Sequence, residues 1–200
     1  MSPALVVVLL ALLLGIQPIT TDVYLPALPS LQQDLGASMA QVQMTFAALL
    51  LSFGISQLVW GPLSDRFGRK PILLWGMGAY VLASVACVLA PSMALLIAAR
   101  IAQGAAMGAA VMGARAVVRD LYAPLEGAKV MSRGLSGLGV IAILCTPLGG
   151  LLTDWVHWRA AMAVLAVFGV GTLALLMLRF QETIPARNPQ ALAPRTLWRS

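Results

Sequence analysis

The chain has 200 residues, 60% of them hydrophobic and only 10% charged, with a formal net charge of +6 and a mean hydropathy of +0.90. No soluble core needs so much apolar sequence, so the one or two soluble domains that this length would suggest are excluded. The positive charge does not point to nucleic acid either, because the basic residues sit in loops between apolar runs.

The first apolar run, residues 4 to about 21, is long enough to cross a hydrocarbon core. A cleaved secretory leader is the competing reading, but no Lys or Arg precedes the run and no soluble mature domain follows it. Asp22 comes after Gln17, Thr20 and Thr21 and before Tyr24, Pro26 and Pro29. If the helix continues to about Leu28, this carboxylate lies in the outer part of the bilayer. Burial there favours its protonated form and a nearby arginine its charged form, and a group balanced between the two can load and release a proton. If the helix stops at Thr21, Asp22 is an exposed cap.

The second run covers about 44–60 and leads into Gly61-Pro62-Leu63-Ser64-Asp65-Arg66-Phe67-Gly68-Arg69-Lys70, the most charged decapeptide in the chain. Gly61 and Pro62 are expected to end the helix before it, since proline lacks an N–H and restricts its predecessor. Gly68 permits a tight reversal, and Pro71 suits the first turn of the next helix. The decapeptide thus reads as a short charged hairpin between two apolar helices.

Further runs at about 72–90, 93–113, 135–152 and 160–178 bring the expected membrane helices to six. Within the fourth, Arg100 is flanked by apolar sequence, and an intramembrane arginine costs roughly 3 kcal/mol on insertion. It should therefore face a cavity or a partner; snorkelling to the headgroups is the alternative. Gln103 shares its helix face. Gly104, Gly108 and Gly113 suit close helix packing. Cys87 and Cys145 lie in separate apolar runs and read as small core residues. No nucleophile with a paired base, metal-ligand spacing or nucleotide-binding glycine loop points to an enzyme, a metal or a bound cofactor.

Basic residues orient membrane helices. The segment after the first run carries Asp22 and Asp34 with no Lys or Arg, whereas Arg66, Arg69 and Lys70 follow the second. The turn at Pro91 is uncharged, Arg115, Arg119, Lys129 and Arg133 follow the fourth run, and Arg159 alone follows the fifth. Arg179, Arg187, Arg195 and Arg199 follow the sixth. The alternation places both termini in the cytoplasm. Trp60 and Trp75 then fall near the cytoplasmic interface, and Trp155, His157 and Trp158 near the opposite one. Residues 1–180 form one six-helix bundle, and 181–200, polar and interrupted by Pro185, Pro189 and Pro194, a cytoplasmic linker.

The decapeptide meets every fixed position of G-x-L-[AS]-D-R-x-G-R-[RK] and resembles motif A of the major facilitator superfamily, in the loop between that family's second and third helices. Thr21-Asp22-Val23-Tyr24-Leu25-Pro26-Ala27-Leu28-Pro29 resembles the first-helix signature of its Bcr/CflA drug:proton antiporters. Arg100-Ile101-Ala102-Gln103-Gly104 resembles motif B, R-x-x-Q-G. Arg115-Ala116-Val117-Val118-Arg119-Asp120-Leu121-Tyr122 and Glu182-Thr183-Ile184-Pro185 resemble that subfamily's fourth- and sixth-helix exits.

The resemblance implies an all-α polytopic fold and export of small amphipathic drugs, such as phenicol or bicyclomycin-type antibiotics, across the bacterial inner membrane. The proton gradient would drive it, with no cofactor. It implies that Asp22, Tyr24, Arg100 and Gln103 border the proton and substrate pathway. Gly61, Asp65, Arg66, Gly68, Arg69 and Lys70 would gate the cytoplasmic side, Arg69 facing Asp120. Two features depart from the family. Its fifth-helix motif G-P-x-x-G-G reads here Thr146-Pro147-Leu148-Gly149-Gly150, which leaves a bend at Pro147 but makes the direction of transport less secure.

The second departure is length. The family has twelve helices in two halves built from nested repeats, with the site between them. This chain corresponds to the first half, with Arg100 and Asp22 expected on the cavity face. Truncation within the inter-half linker is the expectation, the missing carboxy-terminal half or a second copy being the partner in the bilayer. A facilitator for a nutrient or metabolite, and a membrane interaction module without transport, are the other classes.

Overall fold

The computed structural model describes residues 1–184, and these are helical apart from short turns. The elements are α1 (Pro3–Asp22), a 3-10 turn (Leu25–Ala27), α2 (Leu28–Asp34), α3 (Met39–Phe67), α4 (Arg69–Leu89), α5 (Met93–Leu121), α6 (Pro124–Trp155) and α7 (Trp158–Arg179). Counting the broken segment Pro3–Asp34 as one, six helices among the described residues are long and apolar enough to cross a membrane. The expected six spans are therefore present. The linker expected beyond residue 184 lies outside the described residues.

The helices are longer than the apolar runs that mark them. α3 has 29 residues and α6 has 32, or about 44 and 48 Å at 1.5 Å per residue, against a hydrocarbon core of about 30 Å. Hydropathy measures the hydrocarbon thickness, and polar turns extend each helix beyond it. α3 opens on a capping box, in which Gln41 N–H donates to Ser38 Oγ at 3.3 Å and Ser38 N–H to Gln41 Oε1 at 2.9 Å.

Gly61 and Pro62 do not end a helix, contrary to the sequence expectation: α3 runs through both to Phe67. Proline removes one N–H from the ladder, a loss that a long helix held by neighbouring helices tolerates. The reversal falls on the single residue Gly68, with φ of 105°, a conformation that L side chains avoid. The expected hairpin is in fact two helices meeting at one glycine.

α5 is the axis of the bundle, between α3 and α4. A Cβ on Gly104 would fall 2.2 Å from the Leu49 carbonyl oxygen, and one on Gly108 2.1 Å from Ser56 Oγ, so α3 and α5 meet nearly backbone to backbone. Trp60 Nε1 donates across the same contact to the Ala105 carbonyl at 2.7 Å. α1 lies on α6, α4 on α7. The outer faces of α3 and α6 stay largely exposed, with Leu58, Ile143 and Leu125 among their uncovered side chains.

Candidate functional site

Arg100 and Gln103, one turn apart on α5, are wholly buried inside this bundle. The expectation that Arg100 opens on a cavity face is therefore corrected: the six helices cover it themselves. Its Cζ lies 3.8 Å from the centroid of the Tyr24 ring, a desolvated cation–π contact worth about 2 kcal/mol. Nη1 donates to Gln103 Oε1 at 2.7 Å, and Gln103 Nε2 donates to Ser84 Oγ at 2.8 Å. Both Nη atoms lie 3.5 Å from the Thr20 carbonyl. That carbonyl is in the last turn of α1, where free oxygens carry partial negative charge. Tyr80 OH pairs with Thr20 Oγ1 at 2.6 Å, and Tyr24 OH with Thr45 Oγ1 at 2.5 Å. Among the described residues, Arg100 Nε has no hydrogen-bond partner.

This polar knot joins α1, α3, α4 and α5 around one charge, without a carboxylate in ion-pair contact among the described residues. Asp22 closes α1, part-exposed, and its Oδ1 accepts from Thr21 Oγ1 at 2.6 Å. No ion pair joins Asp22 to Arg100 among the described residues. Tyr24, two residues on, is wholly buried and turned to Arg100 instead. The structure thus brings Tyr24, Arg100 and Gln103 into one cluster and leaves Asp22 at its edge.

Arg69 organises a second cluster, at the start of α4. Its Nη1 lies 2.7 Å from Asp65 Oδ1 on α3, and its Nε 2.7 Å from Asp120 Oδ2 on α5. Nη2 reaches Asp120 Oδ1 at 3.4 Å, and Nη1 also donates to Ser64 Oγ at 2.9 Å. One guanidinium, 2% exposed, thus ties three helix ends, with the fork geometry suited to carboxylates. Arg119 stands 3.8 Å from Asp65 but is largely exposed, a pairing of little energetic weight. Arg66 lies over the Phe67 ring at 5.4 Å.

Sequence reasoning missed the role of Glu182. Its Oε1 accepts from the Arg69 N–H at 2.9 Å and its Oε2 from the Lys70 N–H at 3.2 Å. Thr183 Oγ1 donates to Asp120 Oδ2 at 3.4 Å. A signal was available: the N-cap of α4 is Gly68, which offers no side-chain acceptor, so its first N–H groups take acceptors from elsewhere and the helix dipole favours an acid among them.

On α6, the helix continues through Pro147, and Gly149 and Gly150 differ sharply in surroundings. A Cβ on Gly149 would sit 2.3 Å from the Val23 carbonyl oxygen, at the break in α1 beside Asp22, whereas Gly150 faces open space. Gly149→Ala is therefore expected to cost roughly 1–3 kcal/mol by overpacking, and Gly150→Ala to be neutral or slightly stabilising. Thermal unfolding followed by size-exclusion chromatography compares them; equal effects would remove the α1–α6 contact from the account.

A family model described as Major Facilitator Superfamily matches residues 10–200. Multidrug resistance protein D of Escherichia coli (strain K12) is 35% identical over 182 residues, covering 91% of this chain and 46% of that protein. A chloramphenicol resistance protein of Pseudomonas aeruginosa is 39% identical over 154 residues, 76% of this chain and 36% of its own length. The chain thus spans about half the length, or less, of these curated relatives. In three dimensions it is similar to the human organic anion transporter MFSD10 (TETRAN), with a TM-score of 0.76, 23% identity, and coverage of 98% of this chain and 53% of that one. At that identity the likeness shows the fold alone.

Proposed function

Since this chain belongs to the Major Facilitator Superfamily, a family of transporters, we propose that it is the amino-terminal six-helix half of a drug exporter of the bacterial inner membrane, driven by the proton gradient. The printed names of the multidrug and chloramphenicol resistance relatives support small amphipathic drugs as its substrates. The alternation of basic loops supports two cytoplasmic termini, with the Arg69 cluster as the cytoplasmic gate. A second six-helix half, on the same or another chain, would cover the open faces of α3 and α6.

One observation carries the proton coupling: Asp22 is a part-exposed carboxylate inside a membrane-spanning segment, at the break of α1. A carboxylate there has a functional reason by default. Proton binding at Asp22 changes the charge two residues from Tyr24, whose ring carries Arg100, so the break in α1 is the element through which the proton would act on the buried cluster.

In the full-length transporter reconstituted in vesicles, Asp22→Asn is expected to abolish proton release driven by chloramphenicol while leaving thermal stability near that of the wild type. Retained coupling removes Asp22 from the mechanism. Loss of chloramphenicol binding together with the proton release would assign it to the substrate instead.

A further inference from the structure

At the end of the bundle opposite Arg69, Asp34 closes α2 and gathers the start of α7. Trp158 Nε1 donates to its Oδ2 at 2.8 Å, Arg159 Nη1 lies 3.4 Å from the same atom, and His157 Nε2 3.8 Å from it. Arg159 also reaches across to α4, donating from Nε to the Val88 carbonyl and from Nη2 to the Ala90 carbonyl, each at 3.1 Å. Those carbonyls belong to the C-terminal end of α4, where a cation is favoured. The guanidinium lies 4.5 Å over the Trp158 ring. Trp158 lies at the end of the bundle where it was expected, but at 1% exposure it is covered by protein rather than facing outward.

α2 needs such an anchor. It has seven residues, far below the length at which a helix holds itself in water, and no side-chain cap at its start. Leu31 is its single buried residue. At its far end, Gly36 with φ of 57° turns the chain away toward α3.

We propose that Asp34, Trp158 and Arg159 form a clasp that fastens the outer arm of the broken first span to the ends of α4 and α7. The clasp makes α2 part of the same rigid body as α4, and so fixes the far side of the break that presents Tyr24 to Arg100. Asp34 is its keystone, since it alone receives both the indole N–H and the guanidinium.

Hydrogen exchange followed by mass spectrometry on the full-length protein in nanodiscs tests it. Asp34→Ala is expected to speed exchange across residues 28–36 by about tenfold to a hundredfold, the change expected on losing one charge-assisted hydrogen bond. Residues 93–121 should keep their protection. Trp158→Phe, which removes only the indole N–H, should give a smaller rise in the same window. Where Asp34→Ala does not accumulate, Asp34→Asn keeps an acceptor for Trp158 and removes only the charge facing Arg159, with the rise again confined to 28–36. Unchanged exchange in 28–36, or an even rise over all six spans, overturns the proposal.

Discussion

Arg69→Ala is expected to lower the stability of the full-length protein by about 3–5 kcal/mol, the cost of breaking a buried ion pair from one side. The guanidinium is nearly inaccessible, and its removal leaves Asp65 and Asp120 facing each other without a cation between them. The two acids should not respond equally. Asp120 is 11% exposed and Asp65 39%, so water can replace much of what Asp65 loses and little of what Asp120 loses. Asp120→Asn is therefore expected to cost more than Asp65→Asn. Lysine should not rescue position 69, because a point charge cannot serve two carboxylates and Ser64 from one planar fork. The paired variant Arg69→Met with Asp120→Leu should be more stable than either single change, since an apolar pair leaves no buried charge behind. Thermal unfolding of the four combinations measures the coupling, and strictly additive effects would rule out a pair that acts as a unit.

Arg100→Ala is expected to remove about 3 kcal/mol of stability, from the stacking on Tyr24 and the charged hydrogen bond to Gln103. It should also stop transport. The discriminating variant is Arg100→Met, which fills much of the same volume without a charge. Its stability should fall less than that of Arg100→Ala, because its side chain refills the volume and buries no charge, although both variants lose the Tyr24 stacking and the Gln103 hydrogen bond. Its drug-driven proton movement should stay absent, because the charge that answers to the α1 break has gone. Measured side by side, unfolding temperature and vesicle transport separate the two roles; normal transport by Arg100→Met would make the arginine a packing residue only. Tyr24→Leu, which removes the ring and leaves the guanidinium, should fall between the two in stability.

Both clusters were legible in the chain to different depths. The Arg69 cluster was nearly complete in sequence, because motif A and the fourth-helix exit contain three of its four charged members at fixed spacing. Glu182 was visible as a residue but not as a cap, since its partners are N–H groups more than a hundred positions away. Arg100 and Gln103 could be placed on one face from their spacing, but the direction of that face could not be read from it. An intramembrane arginine is expected to face a cavity or a partner, and here it is partners, Tyr24 and the last turn of α1, that enclose it.

Taken alone, the sequence determined the six spans, the helical class, the asymmetry of its basic loops and the position of the reversal at Gly68. Each of these depends on local terms that add along the chain: transfer of side chains into hydrocarbon, the φ available to a glycine, the count of lysine and arginine per loop. The tertiary structure alone decided which buried charge is covered, which carboxylate stands apart and which acid caps α4. Those outcomes depend on how far each helix is rotated and how closely it approaches its neighbour. Contacts such as Gly104 on Leu49 and Gly149 on Val23 set both, between residues that no local pattern connects.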